Sequence, residues 1–72
     1  MMVKYKQREI SVTLAELGAM LAFSVPFNAD SVVEKIIRAW MDGENIVELD
    51  EDEFMVFLMV WGLIKSGAKI EK

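Results

Sequence analysis

The sequence predicts an α+β fold in which a small sheet of two or three short strands packs against three helices. Two short segments show the alternation of apolar and polar residues that is typical of strands. Three segments begin with residue patterns that cap helices, and the last of them contains a long apolar run. The predicted order is therefore β-α-α-β-α, with a further short strand at the end. The 72 residues provide one domain that covers positions 1–72.

The first strand is predicted over residues 3–12, because Ile10 and Val12 alternate with polar residues. Val3, in the first half of this segment, lies at an odd position, whereas Ile10 and Val12 lie at even positions, so Val3 would face the opposite side of a regular strand. We therefore expect either a β-bulge near Gln7 or a first half that pairs with a different surface. In both cases one continuous strand leads into the first helix.

Thr13 and Glu16 predict the start of the first helix. Their spacing forms a capping box, in which each side chain accepts a hydrogen bond from the backbone N–H of the other residue. The helix is predicted over residues 14–23, and Pro26 ends it because the residue before a proline avoids helical backbone angles. Small residues on this helix are expected to let another helix approach closely: Gly18, Ala19 and Ala22.

Ser31 and Glu34 have the same spacing and predict a second capping box. Asp30 adds negative charge at the positive end of the helix dipole. This second helix is predicted over residues 32–41, with an apolar side for the core and a charged side for solvent. Gly43 follows as the residue that ends the helix in the left-handed conformation.

The last third of the chain predicts a short strand followed by the longest helix. The strand covers residues 45–49, and Asp50 and Glu53 then form a third helix-capping pattern. The third helix is predicted over residues 51–66. Residues 68–71 are predicted as the further short strand.

The third helix contains an apolar run of eleven residues, 54–64, without a charge or a hydroxyl group. Successive helix side chains step by about 100°, so the run covers the whole circumference of the helix. A helix that is apolar on all sides must be surrounded, and the rest of so short a chain is expected to cover one side only. A second copy is predicted to cover the other side, which makes the protein a homo-oligomer. The predicted oligomer interface consists of Phe54, Phe57, Leu58, Met59, Trp61 and Ile64.

The composition excludes several kinds of chemistry. The chain has no cysteine and no histidine, which removes disulfides, thiolate chemistry, the commonest metal ligand and the usual general base. Glycine-rich phosphate-binding motifs are also absent. We therefore expect a protein that is not an enzyme and that holds no cofactor and no metal.

Charge and hydropathy also restrict the expected partners and location. The net charge of −4 argues against nucleic acid and anionic membranes. The apolar run of the third helix would extend only about 16 Å, whereas the hydrocarbon core of a bilayer is about 30 Å thick. The N-terminal segment lacks the apolar stretch of a secretion signal. A cytoplasmic location is therefore expected.

Seven of the twelve acidic residues lie between Asp42 and Glu53, in a segment without a basic residue. A calcium loop is one interpretation, but Val47 occupies the position that requires glycine for the sharp turn. Helix-start charge and a solvated strand face explain the acids without a ligand. The acids could also offer a surface to a protein partner, or mimic nucleic acid and inhibit a protein that binds it. The predicted partner-binding residues are Glu48, Asp50, Glu51 and Asp52.

Basic residues near the N-terminus provide an alternative hypothesis. Lys4, Lys6 and Arg8 are predicted to share one face of the first strand, where an oligomer would combine them into a patch that binds nucleic acid. Such residues also protect the edge of a sheet from unwanted pairing. The function that we favour is a small, non-catalytic homo-oligomer that offers an acidic surface to a protein partner. Its size suits an accessory protein of a phage or mobile element.

Overall fold

The computed structural model describes residues 1–67, which form three strands and three helices in the order β-β-α-α-β-α. The strands are β1 (Met2–Tyr5), β2 (Arg8–Ser11) and β3 (Ile46–Glu48), and the helices are α1 (Leu14–Ser24), α2 (Asp30–Met41) and α3 (Glu51–Lys65). This architecture confirms the predicted α+β class, with a small sheet packed by helices. The predicted last strand, over residues 68–71, lies outside the described residues.

The N-terminal segment is a β-hairpin rather than one strand with a bulge. β1 and β2 run antiparallel, and Lys6 and Gln7 form the loop between them. Lys6 has a φ of 52°, and two-residue hairpin loops require such positive values. Because the chain reverses at this loop, Val3 lies opposite Ile10, and both side chains belong to the core side of the sheet. The change in the apolar alternation near Gln7 therefore reflects the hairpin turn and not a bulge.

β3 completes a three-stranded sheet of order β2-β1-β3 within the described residues. It runs parallel to β1, so that Val47 lies beside Val3, and both side chains are buried. On the opposite face, Lys4 lies between Glu9 of β2 and Glu48 of β3. The sheet therefore has one face against the core and one open face.

The capping boxes predicted for the first and third helices are both present. At α1, Glu16 N donates to Thr13 Oγ1 (3.2 Å), and Thr13 N donates to Glu16 Oε1 (2.8 Å). At α3, Glu53 N donates to Asp50 Oδ1 (2.8 Å), and Asp50 N donates to Glu53 Oε1 (3.0 Å). These bonds satisfy backbone N–H groups at the helix starts, where no intrahelical partner exists. Both helices begin where their local sequence indicates.

α2 begins without the capping box that its sequence predicted. It starts at Asp30, and Ala29 occupies the N-cap position with no side-chain hydrogen bond. Ser31 therefore lies inside the first turn, where it does not cap the helix. Glu34 instead accepts hydrogen bonds from Arg38, the shorter of them 2.7 Å long. The prediction was wrong because the helix begins one residue before Ser31, with the fully buried Ala29 at the N-cap, so that Ser31 is no longer in the capping position.

The core lies between the covered face of the sheet and the helices. Its buried apolar residues are Val3, Val12, Leu17, Met20, Phe23, Ala29, Val32, Val33, Ile36, Ala39, Val47, Leu49, Phe54, Phe57 and Val60. Four aromatic rings follow one another at centroid distances of 5.3, 5.9 and 5.8 Å: Tyr5, Phe54, Phe57 and Trp61. They connect the hairpin to α3. One side of the apolar run in α3 is therefore buried by the chain itself.

Candidate interaction surface

The predicted oligomer interface on α3 is divided between the core and the surface. Phe54 and Phe57 are 2% and 0% exposed and pack inside the chain's own core. Within one chain these two side chains offer almost no surface to a second copy, so their role in an interface stays a prediction. The other predicted interface residues keep some exposed surface: Leu58, Met59, Trp61 and Ile64. The fully exposed residues of α3 form its outward side, which is available to another molecule.

This outward side of α3 mixes apolar and charged residues. With about 100° per residue, its exposed residues occupy an arc of about 140°. They are Glu51, Asp52, Met55, Met59, Gly62 and Lys65. A molecule that covers this arc must therefore remove charged groups from water together with the apolar ones, which is unfavourable unless the charges find partners.

The outward side of α1 is apolar throughout. Its exposed residues, together with the residue that follows the helix, occupy an arc of about 120°. We call this surface the α1 face, and it consists of Leu14, Ala15, Gly18, Leu21, Ala22 and Val25. Its large side chains are well exposed, with Leu14 at 61%, Leu21 at 54% and Val25 at 77%. Helix sides that meet solvent are normally polar, so the α1 face is the strongest candidate for an interaction surface.

An apolar groove of about 280 Å³ continues the α1 face onto α2. The groove is lined by Leu14, Leu17, Gly18, Leu21, Ile37 and Trp40. Trp40 and the adjacent Met41 are both exposed. A Cβ atom added at Gly18 would meet no other heavy atom within 4 Å, except for neighbouring atoms of its own helix, among the described residues. The close helix approach that the sequence predicts at Gly18 is therefore not made within residues 1–67.

α1 contains one charged residue, Glu16, and its side chain is held against α3. Glu16 Oε2 lies 2.8 Å from Nζ of Lys65, and Glu16 Oε1 accepts the backbone N–H of Thr13. The hydrogen bond from Lys65, followed by the bond from the Thr13 backbone, lowers the pKa of Glu16 from its ordinary value of 4.5 to about 2. The charge of this helix is thus paired, and it lies outside the α1 face.

The predicted acidic partner-binding residues lie at the start of α3 and on the strand before it. Glu51 and Asp52 are exposed in the first turn of α3. Asp50 is the N-cap of this helix, and Glu48 lies on the open face of the sheet. The four residues are exposed neighbours along the chain, but Asp50 is already used in capping. Within residues 1–67, no group of three or more acidic side chains is arranged to hold a metal ion.

The basic residues near the N-terminus do not share one face, contrary to the prediction. Lys4 lies on the open face of the sheet, whereas Arg8 lies on the covered face, with its guanidinium 5.3 Å from the ring centroid of Phe54. Lys6 lies in the hairpin loop, with Nζ 5.3 Å from the ring centroid of Tyr5. The prediction of a common face was wrong because the hairpin loop separates these residues between two strands.

The α1 face was not predicted from the sequence, although a signal for it exists. The leucines of the first helix have the spacing of core residues, and only some of them can face the core. Within the eleven residues of α1, Glu16 is the single charged residue. A helix with its one charge on a flank leaves no charged side for solvent. Low charge, rather than apolar spacing, was the informative feature.

Comparisons with known proteins found no match to a protein-family model, a curated protein or a solved structure. Within residues 1–67, the helices are too short, or not apolar enough over a sufficient length, for any of them to cross a membrane.

Proposed function

We propose that this protein is a non-catalytic, cytoplasmic interaction protein that forms a homo-oligomer and offers an acidic surface to a protein partner. The observation that carries this proposal is the apolar surface that α1 and α2 present to solvent, with Leu14, Leu21 and Trp40 as its large residues. Large apolar residues that adjoin one another on the surface of a soluble protein often mark an interaction site. Such a patch marks a surface that associates.

The titratable groups support a non-catalytic role. Strongly perturbed pKa values often mark active sites, and among residues 1–67 the clear cases are Glu16 and Glu53. The backbone N–H of Asp50, followed by Lys35, lowers the pKa of Glu53, and its Oε1 lies 2.9 Å from Nζ of Lys35. Both glutamates therefore belong to capping boxes that also carry an ion pair. Their shifts are explained by helix starts and need no substrate.

The buried polar groups of the chain also support a non-catalytic role. Every buried side-chain nitrogen or oxygen atom in residues 1–67 has a hydrogen-bond partner. The buried Ser24, for example, donates from Oγ to the backbone oxygen of Leu21 at 2.7 Å. Active sites commonly keep polar groups oriented toward a position that a substrate will occupy. The described interior offers no such unpaired group.

Glu51 and Asp52 are the acids best placed to meet a partner. Both are exposed, and within residues 1–67 neither side chain makes a hydrogen bond or an ion pair with another residue. The proposed partner is therefore a protein with a basic surface. Nucleic acid is a weaker candidate, because Lys4, Lys6 and Arg8 are distributed over two faces and a loop.

Sedimentation equilibrium tests the proposed self-association. Over a concentration range from micromolar to millimolar, we expect the average mass to rise from 8.2 kDa for one chain toward an integral multiple of it. A mass that stays at one chain throughout this range would rule out the homo-oligomer.

A pull-down from host lysate tests the acidic surface. We expect wild-type protein to retain a basic partner that is released by added salt, since exposed charges are screened within about 8 Å at physiological ionic strength. The double variant Glu51→Gln, Asp52→Asn should lose this partner and keep its fold. Equal retention by wild type and variant would rule out these two acids as the binding surface.

A further inference from the structure

We propose that two copies of the chain pair through the α1 face, with the two α1 helices antiparallel and a twofold axis near Gly18. This inference rests on the proposed self-association and specifies its surface. Ile37 and Trp40 of α2 extend the contact in each copy, so the twofold axis repeats this extension on both sides of the α1 pair. The assignment moves the interface from α3, where the sequence placed it, to α1.

Charge favours α1 over α3 as the surface where two copies meet. Each copy has a net charge of −4, and the centres of protein interfaces are depleted in charged residues. A contact through the outward side of α3 would take Glu51, Asp52 or Lys65 out of water. The described α1 face contains no charged residue, and Lys65 holds Glu16 on the flank toward α3. Two acidic chains can therefore meet at α1 without removing a charge from water.

Shape also favours a second copy as the occupant. Gly18 lies near the middle of the α1 face, and its backbone is open to approach. In an antiparallel pair centred on Gly18, Leu14 of one copy lies near the partner's Ala22, and the reverse contact follows by symmetry. Large side chains then meet small ones on both sides of the axis. The surface is complementary to itself, which a twofold dimer requires.

The size of the face predicts a reversible dimer. α1 is about 16 Å long, and two helices side by side are about 20 Å wide. This footprint is smaller than the roughly 800 Å² that each partner buries in an interface of standard size. An interface of standard size would cover about one sixth of the 4903 Å² surface of the chain. The core of the single chain is already formed. We therefore expect a folded monomer in concentration-dependent equilibrium with the dimer.

A matched pair of lysine variants tests the surface. Leu21→Lys changes the α1 face and Met59→Lys changes the outward side of α3, at side chains of comparable exposure. Both variants add one positive charge, so the effect on net charge is the same. By sedimentation equilibrium, we expect Leu21→Lys to raise the dimer dissociation constant at least tenfold. Met59→Lys should leave it within twofold of wild type.

Cysteine crosslinking provides a second test that does not depend on introducing a charge. The chain contains no cysteine, and Gly18 and Gly62 are exposed helical glycines where an added Cβ meets nothing within 4 Å. A disulfide needs Cα atoms about 4.4–6.8 Å apart. Under mild oxidation, we expect Gly18→Cys to form a covalent dimer and Gly62→Cys to remain mostly reduced. If Leu21→Lys fails to fold, this pair decides the question.

The possible results separate the surface from the self-association itself. A wild-type chain that is monomeric at every concentration overturns both. A wild-type dimer that is lost in Met59→Lys, or that crosslinks at Gly62→Cys and not at Gly18→Cys, keeps the proposed function and overturns the α1 pairing. A monomer that floats with phosphatidylcholine–phosphatidylglycerol vesicles, and does so only when Leu21 is intact, assigns the face to lipid and also overturns the pairing.

Discussion

Glu16 joins the start of α1 to the end of α3. One carboxylate oxygen accepts the backbone N–H of Thr13, and the other lies 2.8 Å from Nζ of Lys65. Lys65 Nζ also lies 4.7 Å from the ring centroid of Trp61. The side chain thus completes a local capping box and a contact between two helices. This double role is the reason that its pKa falls to about 2.

The lowered pKa of Glu16 predicts how stability depends on pH. The folded chain favours the ionised carboxylate, so the contribution of Glu16 is fully present above its ordinary pKa of 4.5 and is lost as the pH falls toward about 2. The variant Glu16→Gln cannot ionise at this position. In thermal melts, wild type should exceed the variant in melting temperature above pH 5, and the difference should shrink between pH 4.5 and 2. A difference that is constant over this range would contradict the assignment.

Phe57 and Met55 provide a direct comparison of the two sides of α3. Phe57 is fully buried, whereas Met55 is exposed. Phe57→Ala should lower the free energy of unfolding by about 3–5 kcal/mol, because it removes apolar contacts and leaves a cavity. Met55→Ala should change it by less than about 0.5 kcal/mol. Urea titrations of the two variants measure the difference, and equal losses would contradict the burial pattern of α3.

Helix starts show where local sequence is sufficient to place an element. Thr13 and Asp50 cap α1 and α3 through side-chain hydrogen bonds, and both starts were predictable because the interacting groups lie only three residues apart. Ser31 has an equivalent spacing to Glu34 and yet does not cap α2. α2 starts instead after Ala29, which is fully buried, and burial depends on residues far apart in the chain that a three-residue spacing does not report.

Two alanine variants test this difference between helix starts. Thr13→Ala should destabilise the fold by about 1 kcal/mol, since it leaves a backbone N–H of α1 without its partner. Ser31→Ala should change stability by less than about 0.5 kcal/mol, because Ser31 makes no cap hydrogen bond. Chemical denaturation compares both with wild type. A loss at Ser31 as large as the loss at Thr13 would show that the second capping box forms in solution.

The hairpin shows the limit of reading strands from alternation. Residues on both sides of Gln7 alternate correctly, but the turn contains Lys6 and Gln7 rather than glycine or asparagine, the usual residues of such loops. The apolar pattern therefore indicated extended chain without indicating a reversal. The pairing of Val3 with Ile10 stabilises the turn from outside it.

The folded chain as a whole has its own core, and this determines how assembly relates to stability. Phe54, Phe57 and Val60 are buried by contacts within one copy. We therefore predict that the protein melts cooperatively even when it is diluted well below the concentration at which it dimerises. Circular dichroism at a series of concentrations measures this. Loss of helix on dilution would mean that folding and assembly are one equilibrium.

The sequence was sufficient to define the α+β class, two of the three helix starts and the excess of apolar surface. These properties depend on composition and on residues close together in the chain. Which apolar side becomes core and which remains exposed was settled by the packing of sheet and helices. Helical periodicity shows that Leu14, Gly18 and Leu21 share a side of α1, as Phe54 and Phe57 share a side of α3. It cannot show which side meets the rest of the chain, because that depends on contacts between residues far apart in sequence.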